Sequence, residues 1–191
     1  MTALLRAAAA PDYPAEVVLV VANREDAGGL AVAQAAGVAT AVVAHRPFGR
    51  DRAAHEAAIA EKFAAAGVEI VCLAGYMRLF TPFFVERYAG RMLNIHPSLL
   101  PAFPGVDTHA RALVAGVKLH GCTVHLVNED MDEGPILAQA AVPVLDGDTE
   151  ESLAGRVLAQ EHVLYPLALR QFAGGAAYPP AADSVLRNPA G

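Results

Sequence analysis

Asn94-Ile-His-Pro-Ser-Leu-Leu-Pro-Ala-Phe-Pro-Gly-Val106 is the stretch on which the reading of this chain turns. The apolar run that enters it, Arg91-Met-Leu-Asn-Ile95, predicts a short buried strand over residues 92–95 that delivers Asn94 and His96 to its end. Residues two apart on a strand face the same side, so the amide and the imidazole converge on one spot. Pro97, Pro101, Pro104 and Gly105 then restrict the loop that follows. An amide donor beside an imidazole at the carboxyl end of a strand suits acyl-transfer chemistry, which places the candidate active site here.

Outward from that strand, short β-rich runs alternate with helical ones. Residues 17–22, 39–44 and 68–74 read as strands, and 30–36, 50–66 and 82–88 as helices. A further helix is expected over 108–115, with Asp107 as N-cap and Gly116 as its stop. The pattern then changes. Residues 121–127 and 136–144 read as strands joined only by Asn128-Glu-Asp-Met-Asp-Glu-Gly-Pro135, too short for a crossover, so an antiparallel edge is expected. A long helix over 149–172 follows, with Thr149 and Ser152 as candidate caps. The sum is an α/β fold: an open, mostly parallel, doubly wound (Rossmann-like) sheet with an antiparallel C-terminal edge. Such sheets bind ligands beyond the carboxyl ends of their strands, where Asn94 and His96 fall. A single domain is expected over 1–173, with a loosely ordered tail over 174–191, rich in Pro, Gly and Ala.

Bulk properties narrow the function. At 191 residues with 54% hydrophobic and 18% charged, the chain can bury a proper core and is not a disordered type. The net charge of −6 argues against a nucleic-acid surface. No run reaches the roughly 18 apolar residues of a transmembrane helix, and the N-terminus lacks the regions of a signal peptide. A cytoplasmic enzyme is the expectation. Cys72 and Cys122 read as buried free thiols.

His96 has a natural partner in Asp132, on the short loop between the last two strands, provided that loop folds over the same strand ends. A carboxylate there would orient the imidazole and favour its charged form. Taken singly, Asp132 reads as an ordinary turn aspartate before Gly134-Pro135. His120, Cys122 and His125 suggest a metal at first sight, but His125 has the opposite strand parity and there is no CxxC or HExxH, so no metal is expected. Ser98 lacks a GxSxG elbow, which argues against covalent catalysis.

Asn94-Ile-His-Pro-Ser-Leu-Leu-Pro101, with Pro104-Gly105 and Asp107-Thr-His109, resembles the folate-dependent formyltransferases. Agreement continues in Leu73-Ala-Gly-Tyr-Met-Arg78, His120-Gly-Cys-Thr-Val-His125, Met131-Asp-Glu-Gly-Pro135, Gln160-Glu-His162 and Tyr165-Pro166. The likeness is greatest to the members that serve purine biosynthesis, and it spans about residues 17–172. It implies a catalytic trio of Asn94, His96 and Asp132. It implies 10-formyltetrahydrofolate as co-substrate against Met77, Arg78, Leu79 and the loop of Asn128, Glu129, Asp130 and Met131. It also implies glycinamide ribonucleotide as acceptor, with Arg52 reaching the phosphate and Glu161 the glycinamide end. Read without the resemblance, Arg52 is a solvated helix charge and Glu161 a surface carboxylate. Small molecules are the expected partners, with no nucleic acid or membrane, and the protein is expected as a monomer or homodimer.

One departure stands out. The resemblance implies a first strand and a glycine-serine-asparagine loop that cradles a ribose phosphate at a helix N-terminus. Met1-Thr-Ala-Leu-Leu-Arg6 looks like the helix after that loop, so the natural start is expected upstream; mass spectrometry of the natural protein tests this. At Asp107, where some relatives have histidine, no catalytic role is expected. Two other readings stay open: a formyltetrahydrofolate hydrolase with water as acceptor, and a non-catalytic folate- or nucleotide-binding module. A methionyl-tRNA formyltransferase is disfavoured, because neither an RNA-binding extension nor basic charge is present.

Overall fold

The computed structural model describes residues 1–175, which fall into two compact units divided after Leu93. The first unit holds α1 (Thr2–Ala8), β1 (Leu19–Ala22), α2 (Gly28–Ala35), β2 (Ala39–Val42), a 3-10 turn (Arg46–Phe48), α3 (Arg52–Ala65), β3 (Val71–Leu73) and α4 (Pro82–Arg87). β1 and β2 run parallel with Leu19 opposite Ala39. The Val71 N–H at the start of β3 donates to the Arg91 carbonyl (2.9 Å), just before β4 (Met92–His96) begins.

Helix α3 starts where Asp51 accepts the Ala54 N–H (2.9 Å), filling one of the orphan donors of a first turn. Its inward face carries Ile59, Ala60 and, unusually, the buried carboxylate of Glu56. That carboxylate is satisfied by the Thr81 N–H (2.9 and 3.2 Å) and the Thr81 hydroxyl, so it fastens α3 to the N-cap of α4. Phe63, Phe80, Phe84 and Tyr88 pack beside this link, with ring centroids 4.6–6.3 Å apart.

The second unit takes up the end of β4 and continues with α5 (Thr108–Ala115), β5 (Leu119–Leu126), β6 (Ile136–Pro143) and α6 (Glu150–Ala173). The strand order is β4-β5-β6, and β5 and β6 pair antiparallel as expected. Only glycine fits at position 121: a Cβ there would lie 2.0 Å from the Ala140 carbonyl oxygen. Ala112, Cys122, Val142, Leu153 and Val157 form the core between α5, α6 and the β5–β6 face. Each large apolar side chain so buried contributes about 2 kcal/mol. Thr149 and Ser152 cap α6 reciprocally, with each side chain bonded to the other's backbone N–H (3.2 and 3.0 Å). No described helix is long and apolar enough to cross a membrane.

Two expectations change, and a third falls outside what the structure describes. Asp107 does occupy the N-cap of α5, yet its φ of 56° is left-handed and its side chain makes no cap bond. A capping side chain needs an extended backbone to reach back over the first turn. Cys122 is fully buried, but Cys72 is only half-buried on the three-residue strand β3. The tail expected over 174–191 lies almost wholly outside the described residues.

Candidate active site

Asn94 and His96 leave β4 on one side, as strand parity requires, and the loop between β5 and β6 brings Asp132 to them. His96 Nδ1 lies 3.4 Å from Asp132 Oδ2, with both side chains nearly enclosed (7% and 11% exposed). The other ring nitrogen is committed: Nε2 is 3.0 Å from the Phe103 carbonyl oxygen, which can only accept, so Nε2 carries a hydrogen. Asp132 is itself held by the Gly105 N–H, which donates to Oδ2 at 2.8 Å. The proline-braced loop therefore grips both members of the pair.

Phe103, which holds His96, and Asp132, which faces it, both sit in left-handed backbone, at φ 55° and φ 59°. Aspartate tolerates that region, whereas a bulky residue such as Phe is uncommon there and costs about 1 kcal/mol or more. The conformation aims the Phe103 carbonyl at His96. Arg111 supports the same segment from α5, donating to the Pro104 and Val106 carbonyls (2.5 and 3.3 Å) with its guanidinium over the Phe103 ring. Gly134 lets the Asp132 loop close, since a Cβ there would lie 1.7 Å from the Leu126 carbonyl oxygen.

His125 is the buried neighbour that sequence reasoning missed. Its Nδ1 lies 2.9 Å from the Leu126 carbonyl and therefore bears the hydrogen. Burial holds its pKa below the ordinary value, so the neutral ring presents a lone pair at Nε2. The Asn94 amide lies 3.2 Å from that nitrogen and donates to it, which leaves a second amide hydrogen for another acceptor. His125 Nε2 is also 3.7 Å from Asp132 Oδ1, beyond hydrogen-bond range. The parity argument that removed His125 from a metal set could have found it, had the β4–β5 pairing been known.

A second histidine pair lies behind Phe103. His109 Nδ1 and His120 Nε2 are 3.2 Å apart, and the His120 ring packs edge-on to Phe103. Burial lowers both pKa values, that of His120 to about 4. Among the described residues, no group of three or more His, Cys, Asp or Glu side chains is arranged to hold a metal ion.

The remaining candidates are spread over both units. Asn128, Glu129, Asp130 and Met131 share the loop of Asp132, and the last three are exposed. Glu161, on α6, is half-buried, and burial pushes its carboxyl pKa up. In the first unit Met77 and Leu79 stand exposed, while Arg78 is half-buried. Arg52 Nη1 makes a long 3.4 Å contact with the Leu79 carbonyl, so two groups assigned to different ligands meet there.

A family model described as "Formyl transferase" matches residues 1–169. Phosphoribosylglycinamide formyltransferase of Escherichia coli (strain K12) is 45% identical over 156 residues, covering 82% of this chain and 73% of that one. The trifunctional purine biosynthetic protein adenosine-3 of Bos taurus is 46% identical over 176 residues, of which this chain spans 17% of the length. The crystal structure of phosphoribosylglycinamide formyltransferase from Brucella melitensis superposes with a TM-score of 0.87 at 60% identity, covering 94% of this chain and 92% of that one. A formyltetrahydrofolate deformylase from Pseudomonas syringae is more distant, with a TM-score of 0.78 at 27% identity over 86% of this chain and 54% of that one.

Proposed function

The chain belongs to the formyl transferase family, and from that premise we propose that it transfers the formyl group of 10-formyltetrahydrofolate to the primary amine of glycinamide ribonucleotide, a step of purine biosynthesis. The observation that carries this reading is the set of half-buried Asn94 and nearly enclosed His96 and Asp132, with a second amide hydrogen and the Nδ1 edge of the ring beside one carboxylate.

The amine attacks the formyl carbon, forming a C–N bond while the carbonyl electrons move onto oxygen. The second Asn94 N–H donates to that oxygen. So does His96 Nδ1–H when the ring is imidazolium, because at 3.4 Å it is only loosely engaged with Asp132 and can be shared. Phe103 keeps the ring from rotating by holding Nε2–H. Asp132 balances the imidazolium charge and takes the proton released by the attacking nitrogen. It returns that proton, directly or through water, to N10 of the folate as the C–N10 bond breaks, so no net proton is lost. These donors strengthen as charge develops on oxygen, which is what lowers a barrier rather than merely tightening binding.

By the family likeness, residues 128–131 and 77–79 would hold the folate, Arg52 the phosphate and Glu161 the glycinamide end. The test is an assay with formyl-labelled 10-formyltetrahydrofolate and glycinamide ribonucleotide. Label on the ribonucleotide amine is expected. Release of formate at the same rate with and without ribonucleotide would refute the transfer reading in favour of a hydrolase.

A further inference from the structure

The loop that grips His96 and Asp132 has a structural problem of its own. Pro97, Pro101 and Pro104 have no N–H, so the loop cannot build a regular ladder of backbone bonds. Its first half, before Phe103, is supported from outside by a buried side chain. Thr123, on β5, is 0% exposed, and its hydroxyl is fully used. It donates to the Ser98 carbonyl (2.7 Å) and accepts from the Leu100 N–H (3.0 Å) and from Gln139 Nε2 (2.9 Å). One donor and two lone pairs are all a hydroxyl offers.

Gln139 completes the arrangement. It lies directly opposite Thr123 in the β5–β6 register, and the same Nε2 also donates to the Leu100 carbonyl (2.8 Å). Both backbone groups of Leu100 are thus held by a cross-strand pair on the next two strands. Ser98 is pinned in turn: its N–H donates to the His96 carbonyl (2.9 Å), and its hydroxyl donates to the Ala102 carbonyl (2.6 Å). The next residue after Ala102 is Phe103, whose carbonyl fixes the His96 ring.

We infer that Thr123, assisted by Gln139, is a positioning residue for catalysis: its hydroxyl sets the course of residues 97–103, so that Phe103 holds His96 with Nδ1 facing Asp132. The inference rests on the formyl-transfer reading for its kinetic part only. A strand threonine that merely filled space would need its methyl group and not its hydroxyl, and the two roles separate on mutation.

Thr123→Ser keeps the hydroxyl, and Thr123→Val keeps the shape without it. With Thr123→Val, kcat should fall about 10- to 100-fold, because a small displacement of a reacting group is costly. KM for both substrates should stay within about twofold, and the pH–rate profile should move. Thr123→Ser should keep kcat within about threefold of the parent, since its hydrogen bonds remain. Gln139→Leu should lose several-fold, and the double variant should be little worse than Thr123→Val, since the two act as a unit. Imidazole 15N NMR of the full chain reads the geometry without any turnover: Nε2 of His96 should be protonated and hydrogen-bonded in the parent and in Thr123→Ser, and lose that signature in Thr123→Val. If Thr123→Val fails to fold by circular dichroism, Gln139→Leu carries the same kinetic and NMR tests. Normal kcat and an unchanged His96 signal in a folded variant would overturn the inference, as would equal damage from Thr123→Ser. A parent enzyme that transfers no formyl to the amine would instead count against the proposed function, and the NMR result would still decide on Thr123.

Discussion

His96 and Asp132 are nearly enclosed, at 7% and 11% side-chain exposure, and each is bonded to the proline-braced loop. Met77 and Leu79, assigned to folate binding by resemblance, stand 80% and 60% exposed, and Arg52 touches their segment through one contact of 3.4 Å. The first region spends hydrogen bonds and strained backbone on fixing a few atoms; the second offers apolar surface that a ligand can cover. Stabilising a developing charge requires donors already in place, whereas burying a ring requires only surface that can close on it. Substitutions in the two regions should therefore act on different kinetic constants.

The largest effect is expected at the proposed proton carrier. Asp132→Asn keeps the shape and the bond from Gly105 but removes the negative charge and the basic oxygen, so kcat should fall about a thousandfold with little change in KM. Asn94→Ala removes one proposed oxyanion donor and should cost on the order of a hundredfold. Steady-state kinetics check both. Losses confined to KM would erase the distinction between the regions.

Acid should expose the enclosed region through its stability. Both histidines behind Phe103 have lowered pKa values, His120 to about 4, so between pH 6.5 and 4 the unfolded chain binds protons that the folded chain refuses. The neutral pair contributes stability that is fully present above pH 6.5 and is lost as pH falls towards 4. For His120 alone the loss amounts to about 3 kcal/mol, at roughly 1.4 kcal/mol per unit. Denaturant titrations at pH 7, 5 and 4 measure it, and His120→Phe should flatten the dependence. An unchanged slope in that variant would assign the acid sensitivity elsewhere.

How far the sequence carries depends on whether a feature is local. Strand parity brought Asn94 and His96 together, and the short connection between β5 and β6 placed Asp132 near them, because each follows from spacing along the chain. The capping of α6 by Thr149 and Ser152 was legible for the same reason. The partnership of His125 with Asn94 was not, since it depends on how β4 pairs with β5, 31 residues apart. Nor was the grip of Thr123 and Gln139 on Leu100, which spans three segments. Asp107 shows the other limit: its residue type suits an N-cap, but the φ of 56° that the loop imposes removes the side chain from capping range.

Arg52 tests the open region more gently. Its single long contact costs little to break, so Arg52→Ala should leave folding intact and raise KM for the phosphate-bearing substrate about tenfold at unchanged kcat. A change in kcat instead would place Arg52 in the chemistry.

Met77→Ala should have the smallest effect, and it is the most direct probe of how the surface works. At 80% exposure the side chain contributes almost nothing to the folded chain, so thermal stability should not move. Covering it with a flat apolar ring would recover part of the transfer free energy of its methylenes, about 1 kcal/mol for partial burial. The expected outcome is a rise of about fivefold in KM for 10-formyltetrahydrofolate, with kcat and KM for the amine unaltered. The direction matters more than the size. An apolar surface that waits for its ligand loses affinity when truncated, whereas one that is part of a preorganised site loses turnover. A drop in kcat with Met77→Ala would mean that the exposed region is shaped by the reaction as tightly as the enclosed one, and the contrast between them would fail.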